Sequence, residues 1–296
     1  MRFVKLTLAL VLFVACAACT AAPPETQTED EATHSEALPP ENGRGGLRHI
    51  IDARRFVERG AFEGTAPVQL PDGVKALIVP HHTVASRLAA RLLGGLAAQA
   101  PQTVILLGPN HANTGPRIAT AYAAFTTYHG MLRPDETRVR ALESRLLAGV
   151  SDAVFEEEHS VGALAPLIAK YLPDTKIVPV VFHRGVPLRD AMEAIGAVYS
   201  IADESAVIIA SIDFSHGLPP REEPARRAKI LEYIKGYDWR AVLPLDETYL
   251  DAPVVLAALL RMLEGSEIAV FDSANAADLL GYDVPEATGY LGVGFW

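Results

Sequence analysis

The chain has 296 residues, half of them apolar, and a formal net charge of -10. That length and apolar share suit one large domain with a sizeable core rather than two independent ones. An acidic balance with no Lys/Arg run to offset it would repel phosphate backbones, so nucleic acid is excluded as an expected partner.

Met1-Arg2-Phe3-Val4-Lys5 and the apolar run 6–15 have the charged start and short apolar stretch of a secretory signal. The run is too short to span a bilayer comfortably. Val14-Ala15-Cys16-Ala17-Ala18-Cys19 follows at once and resembles a bacterial lipobox, with Cys16 or Cys19 as the lipidated residue. Phe13 or Cys16 then occupies the position where that pattern usually shows Leu or Val. The expectation is a lipoprotein-type signal peptide at 1–19 and an exported protein held by a lipid anchor on the periplasmic or extracellular face of a bacterial membrane; an ordinary cleaved signal is the plainer reading. Loss of Arg2 and Lys5 with the leader takes the net charge from -10 to -12. No cysteine occurs after Cys19, so the domain has no internal disulfide and no thiolate chemistry, and a metal site in it must be built from nitrogen and oxygen.

Residues 20–46 are rich in Ala, Pro, Thr and Glu without apolar periodicity, which predicts a disordered tether in which His34 is a solvated residue. From 47 to 296 short apolar runs alternate with helical stretches. The strand candidates are Ala76-Leu77-Ile78-Val79, 103–107, 176–182 and 206–211, nearly continuous apolar runs of the kind covered on both faces. Pro179 places its part of the third run near an edge or a bulge. Helix candidates lie at 86–98, 136–148, 163–171 and 188–199, then at 221–235 and 252–263. A strand at 267–272 and a returning apolar strand over the last residues close the chain. This alternation predicts an α/β fold, a central mostly parallel or mixed sheet flanked by helices. No Walker loop and no G-x-G-x-x-G after a strand is present, so phosphate cradling is not expected.

Four segments put a histidine where a buried strand should end: Val79-Pro80-His81-His82, Gly108-Pro109-Asn110-His111, Val181-Phe182-His183 and Asp213-Phe214-Ser215-His216. Carboxyl ends of parallel strands converge on one crevice, so such residues can share a metal or a substrate. His81 and His111 are the candidate ligands, since imidazole is a common nitrogen ligand for zinc, copper and iron. A solvated His-His turn is the bland alternative for the first, and the second repeated delivery weakens it. Asp213, three residues before His216, can orient that ring for general acid-base work, or it or Ser215 can simply cap a following helix. In Glu156-Glu157-Glu158-His159-Ser160 the acidic run reads as a solvated face, while His159, immediately before a helix, can project into the same crevice. His183 reads as a loop histidine. A third, anionic ligand is open among Asp251, Asp246 and Asp272, with helix capping as the bland role of Asp251.

Val79-Pro80-His81, Leu107-Gly108-Pro109-Asn110-His111, Glu158-His159-Ser160 and Ser211-Ile212-Asp213-Phe214-Ser215-His216, taken in order, resemble the signature series of the Memo family. Bacterial and archaeal members are called AmmeMemoRadiSam system protein B, and the family is related to class III extradiol dioxygenases, non-haem iron enzymes that open catechol rings. The resemblance implies a dioxygenase-like α/β sandwich and a metal held by His81, His111 and a cysteine further along, with His216 lining the pocket. In this chain Asp251 aligns with that cysteine, giving two histidines and a carboxylate, the donor set of non-haem Fe(II) oxygenases. Fe(II) or manganese is then favoured over copper, with zinc a further candidate. Where the family usually carries glutamate two residues after His159-Ser160, this chain has Gly162.

The resulting expectation is a mononuclear metal on His81, His111 and Asp251, with His159, Asp213 and His216 as an acid-base rim acting on a small phenolic substrate. Arg117, Arg133 or Arg184 could meet an anionic group on it. A metal-binding or scaffolding protein without turnover, and a metal-dependent hydrolase, are the alternatives.

Overall fold

The computed structural model describes residues 49–145 and 149–296. The signal peptide, the lipidation cysteines and the tether of the sequence reading lie outside the described residues, as does the last part of the 136–148 helix. In chain order the strands are β1 (Ile50–Asp52), β2 (Ala76–Val79), β3 (Thr103–Asn110), β4 (Ile118–Thr120), β5 (Ala124–Thr127), β6 (Gly130–Leu132), β7 (Lys176–His183), β8 (Ala206–Ser211), β9 (Phe214–Leu218), β10 (Ile268–Asn275) and β11 (Ala287–Phe295). The helices are α1 (Ser86–Leu96), α2 (Glu136–Glu143), α3 (His159–Gly162), α4 (Ala165–Tyr171), α5 (Leu188–Ile201), α6 (Glu223–Lys235), α7 (Trp239–Val242), α8 (Pro253–Met262) and α9 (Ala276–Leu280).

The four apolar runs form the middle of an eight-stranded mixed sheet ordered β10-β11-β2-β8-β3-β7-β4, with β9 pairing β11 off that path. β2, β8, β3 and β7 run parallel, and β11 and β4 flank them antiparallel. Side chains alternate across a strand, so a strand buried on both sides has no polar face. Leu77, Val79, Val104, Leu106, Val207 and Ile209 accordingly enter one core with α1 and α4, while Ala76, Ile78, Ile105, Leu107, Ile208 and Ala210 enter the other with α5 and α8. The last apolar run does return as a strand, β11, between β10 and β2.

Pro179 sits on β7 just beyond the β4 ladder, which ends at the Val180–Thr120 pair. Its missing N–H therefore faces away from β3, and no ladder bond is lost there. Two parts were not anticipated. A small sheet ordered β1-β5-β6 forms beside the main one, and its strands are too short for periodicity to show. Residues 214–218 form β9, so no helix follows Asp213 and Ser215, and the capping alternative for them is overturned.

Strand order sets the geometry of the crevice. β2, β8 and β3 are consecutive neighbours and parallel, so their carboxyl ends present His81, Asp213 and His111 within about two strand spacings, roughly 10 Å. β7 lies on the far side of β3, which carries His183 away from β8. His183 is the last residue of β7 and not a loop residue as the sequence suggested, and its Nε2 lies 2.9 Å from the Thr114 carbonyl oxygen.

Candidate metal centre

His81 leaves β2 behind Pro80 and is buried. Its Nδ1 lies 3.0 Å from Ser211 Oγ, at the end of β8, and Ser211 spends its only proton on the Ser160 carbonyl oxygen at 2.6 Å. Ser211 Oγ must therefore accept from His81 Nδ1–H, which leaves the Nε2 lone pair facing the crevice. His111 reaches the same state by another route. Its Nδ1 lies 2.8 Å from Glu158 Oε1, and its backbone N–H donates to Glu158 Oε2 at 2.7 Å. Ser160 N–H donates to Oε1 as well. Burial opposes ionisation of Glu158, yet these bonds, from His111 first, hold its carboxyl down at about 2. An ionised carboxylate only accepts, so His111 also carries its proton on Nδ1 and presents Nε2.

The two carboxylates divide their work. Asp213 accepts from the backbone N–H groups of His81 and His82, each at 3.1 Å, and so braces the loop after β2. Asp251 accepts one bond, from Asp213 N–H at 3.2 Å through Oδ2, while its buried Oδ1 has no partner. Nε2 of His81 and of His111 lie 3.3 and 3.9 Å from Asp251 Oδ2. Burial pushes the Asp251 carboxyl well above the usual range, and the Asp213 charge adds to this. Burial likewise raises Asp213, against the pull of His82 and His216. His81 is driven well down by burial, then by His111 and His159, so it is neutral, the ligating form.

These observations fit a cation. A buried acceptor without a donor costs about 1–3 kcal/mol; Asp251 Oδ1 is such an atom, and the other oxygen of the same carboxylate faces the two imidazole lone pairs. Two groups have ligand atoms all within 4.8 Å of one another, His81 with His111 and His159, and His81 with Asp213 and Asp251. The two groups share His81, and the trio of His81, His111 and Asp251 draws on both.

Of the sequence candidates, His81, His111, His159, Asp213 and Asp251 meet here. His216 is close by, with burial lowering its proton affinity, but its Nδ1 lies 3.1 Å from the Glu247 carbonyl oxygen and not against Asp213. The competitors are elsewhere: Asp246 accepts from Thr248, and Asp272 pairs with Arg91. Asp251 caps nothing, since the residue before α8 is Ala252 and makes no side-chain cap. Arg184 pairs with Glu247 at 2.9 Å on the rim. Sequence reasoning passed over Ser211, Glu158 and the pair His82–Tyr290, in which His82 Nδ1 lies 2.6 Å from the Tyr290 hydroxyl. Only Glu158 carried a signal, standing between an acidic run and a crevice histidine. Glu156 and Glu157 do lie on a solvated face, where they pair with His49 and Arg55, and only Glu158 turns inward, to His111. Gly162 makes room for the Phe56 ring, which a Cβ there would strike.

An α/β sheet with imidazoles and carboxylates gathered at its parallel strand ends defines a protein built around a candidate metal centre. The sequence pattern described as Memo-like protein matches residues 61–252, a span that includes every crevice residue from His81 to Asp251, and the chain belongs to the Memo family. A MEMO1 family protein of Methanopyrus kandleri is 27% identical over 266 residues, covering 82% of this chain and 93% of that protein. One from Aquifex aeolicus is 28% identical over 240 residues, covering 75% and 85%. A solved structure of an uncharacterized protein from Escherichia coli K12 aligns with a TM-score of 0.49 and 14% identity, over 75% of this chain and 100% of that one. The class III extradiol dioxygenase relation of the family fits the mixed α/β architecture.

Proposed function

We propose that this Memo-family protein binds one divalent metal, Fe(II) before Mn(II), through His81, His111 and Asp251, and uses it to oxidise a small phenolic substrate with dioxygen. The observation that supports this most directly is the buried Asp251 carboxylate, with Oδ1 lacking a donor and Oδ2 lying 3.3 and 3.9 Å from two Nε2 atoms whose protons are locked on the opposite side of each ring. Two imidazoles and a carboxylate suit iron better than copper. The bound metal would supply Lewis acidity toward a phenol oxygen and a redox couple. The protein's own groups do the rest: Ser211 and Glu158 fix the two ligand tautomers, Asp213 fixes the loop of His81, and His216 stands at the rim as a neutral imidazole able to take a proton from a substrate hydroxyl.

Anaerobic reconstitution with Fe(II), followed by oxygen uptake with a panel of catechols, tests this reading. Uptake that disappears in His111→Ala is expected. Stoichiometric metal without uptake would mean a binding protein, and oxygen-independent ester or amide cleavage would mean a hydrolase. Export and lipid anchoring, proposed from residues 1–19, are tested by fatty-acid labelling of the wild type, Cys16→Ser and Cys19→Ser.

A further inference from the structure

We propose that His159 is a fourth protein ligand of the metal, completing a set of three imidazoles and one carboxylate, in place of the rim role its sequence position suggested. This rests on the metal reading above. The His159 ring stacks on His111 with centroids 3.9 Å apart and 24° between planes, and meets His81 edge-on at 5.2 Å. A ligand atom of His159 lies within 4.8 Å of those of both other histidines.

What sets His159 apart is its lack of commitment. Nδ1 of His81, His82, His111 and His216 each lies within hydrogen-bond distance of a partner. Among the described residues neither ring nitrogen of His159 makes a hydrogen bond, and the nearest carboxylate oxygen, Glu158 Oε1, is 3.9 Å from Nδ1. A proton-transfer histidine needs a partner that fixes its tautomer. A metal supplies that constraint directly, once the His159 ring turns off the face of His111 so that the two in-plane lone pairs converge.

The backbone under His159 is built for fixed placement. Glu158 caps α3 through Ser160 N–H, and Ser160 Oγ donates to the Pro109 carbonyl oxygen at 2.9 Å, tying α3 to the strand that carries His111. Gly108 permits this approach, since a Cβ there would lie 2.6 Å from Ser160 Oγ. A third nitrogen donor shifts preference toward the later metals of the Irving–Williams order and leaves one open position fewer for substrate.

Co(II) is the probe. The full chain is titrated with Co(II) by calorimetry and visible absorption, and the hyperfine-shifted imidazole N–H resonances of the Co(II) protein are counted by NMR. Three such resonances are expected in the wild type. Loss of one in His159→Ala, with a changed visible band and Co(II) binding weakened by at least ~10-fold, is also expected, while His183→Ala changes nothing. Two resonances in the wild type, or unaltered binding and spectrum in His159→Ala, would overturn the proposal. Should that variant fail to fold, the wild-type count decides. If His111→Ala abolishes binding and His159→Ala leaves both binding and spectrum unaltered, only this inference falls; if the wild type binds no Co(II), the metal reading falls with it.

Discussion

Asp251 is the residue on which the centre turns, because its side chain is only 6% exposed and yet one of its oxygens has no donor. A carboxyl held above its usual range binds its proton more tightly folded than unfolded. Its penalty on stability is therefore absent below the unfolded value near 3.8 and grows as pH rises toward the folded value. Asp251→Asn removes that charge. The metal-free variant is expected to be more stable than the wild type at neutral pH by about 1–3 kcal/mol, with the gap closing as pH falls to 4, and to have lost metal binding. Urea unfolding at several pH values in the presence of chelator measures the first effect, and calorimetry the second. A metal-free variant less stable than the wild type at pH 7 would show that Asp251 serves the fold instead. The identity of this ligand was open between three aspartates in sequence, because each lies near a turn and only the pairing of residues 213–215 with 249–251 brings one of them to the crevice.

α3 is one turn long, and its position depends on a single missing Cβ. Gly108→Ala forces Ser160 away from β3, so overpacking of about 1–3 kcal/mol is expected. Glu158 and His159 should move with Ser160. Thermal unfolding and metal affinity should therefore fall together, and a variant that loses stability while keeping full affinity would show that α3 does not position the centre. α2 gives the contrasting case at the other end of the sheet. Arg138 bonds Asp135, Asp203 and the Thr103 hydroxyl, tying α2 to the start of β3 and to the turn before β8. Loss of these charge-assisted bonds in Arg138→Ala should destabilise by about 1.5–3 kcal/mol and leave metal affinity unchanged, read by urea unfolding and calorimetry. The main strands and most helices could be read from the sequence because burial on both faces imposes long apolar runs. β1, β4, β5, β6 and β9 could not: they run three to five residues, and their pairing is decided by partners distant in the chain.

A metal that binds the folded chain and not the unfolded one stabilises the whole molecule by mass action, about 2.7 kcal/mol at a free concentration one hundred times Kd. A rise in the unfolding temperature of the full chain with Fe(II) or Co(II), reversed by chelator, is therefore expected. No shift at saturating metal would count against a preformed centre. The amino-acid order alone determined that the domain has no thiolate, that its strands are buried on both faces, and that histidines stand at strand ends, since composition and period are local properties. Which of those strands are neighbours is not local. The order β2-β8-β3 brings His81, Asp213 and His111 together and sends His183 outward. The bonds of Ser211 to His81 and of Glu158 to His111 became visible only there, because a hydrogen bond that fixes a tautomer depends on where two distant segments meet, and that position is settled by packing.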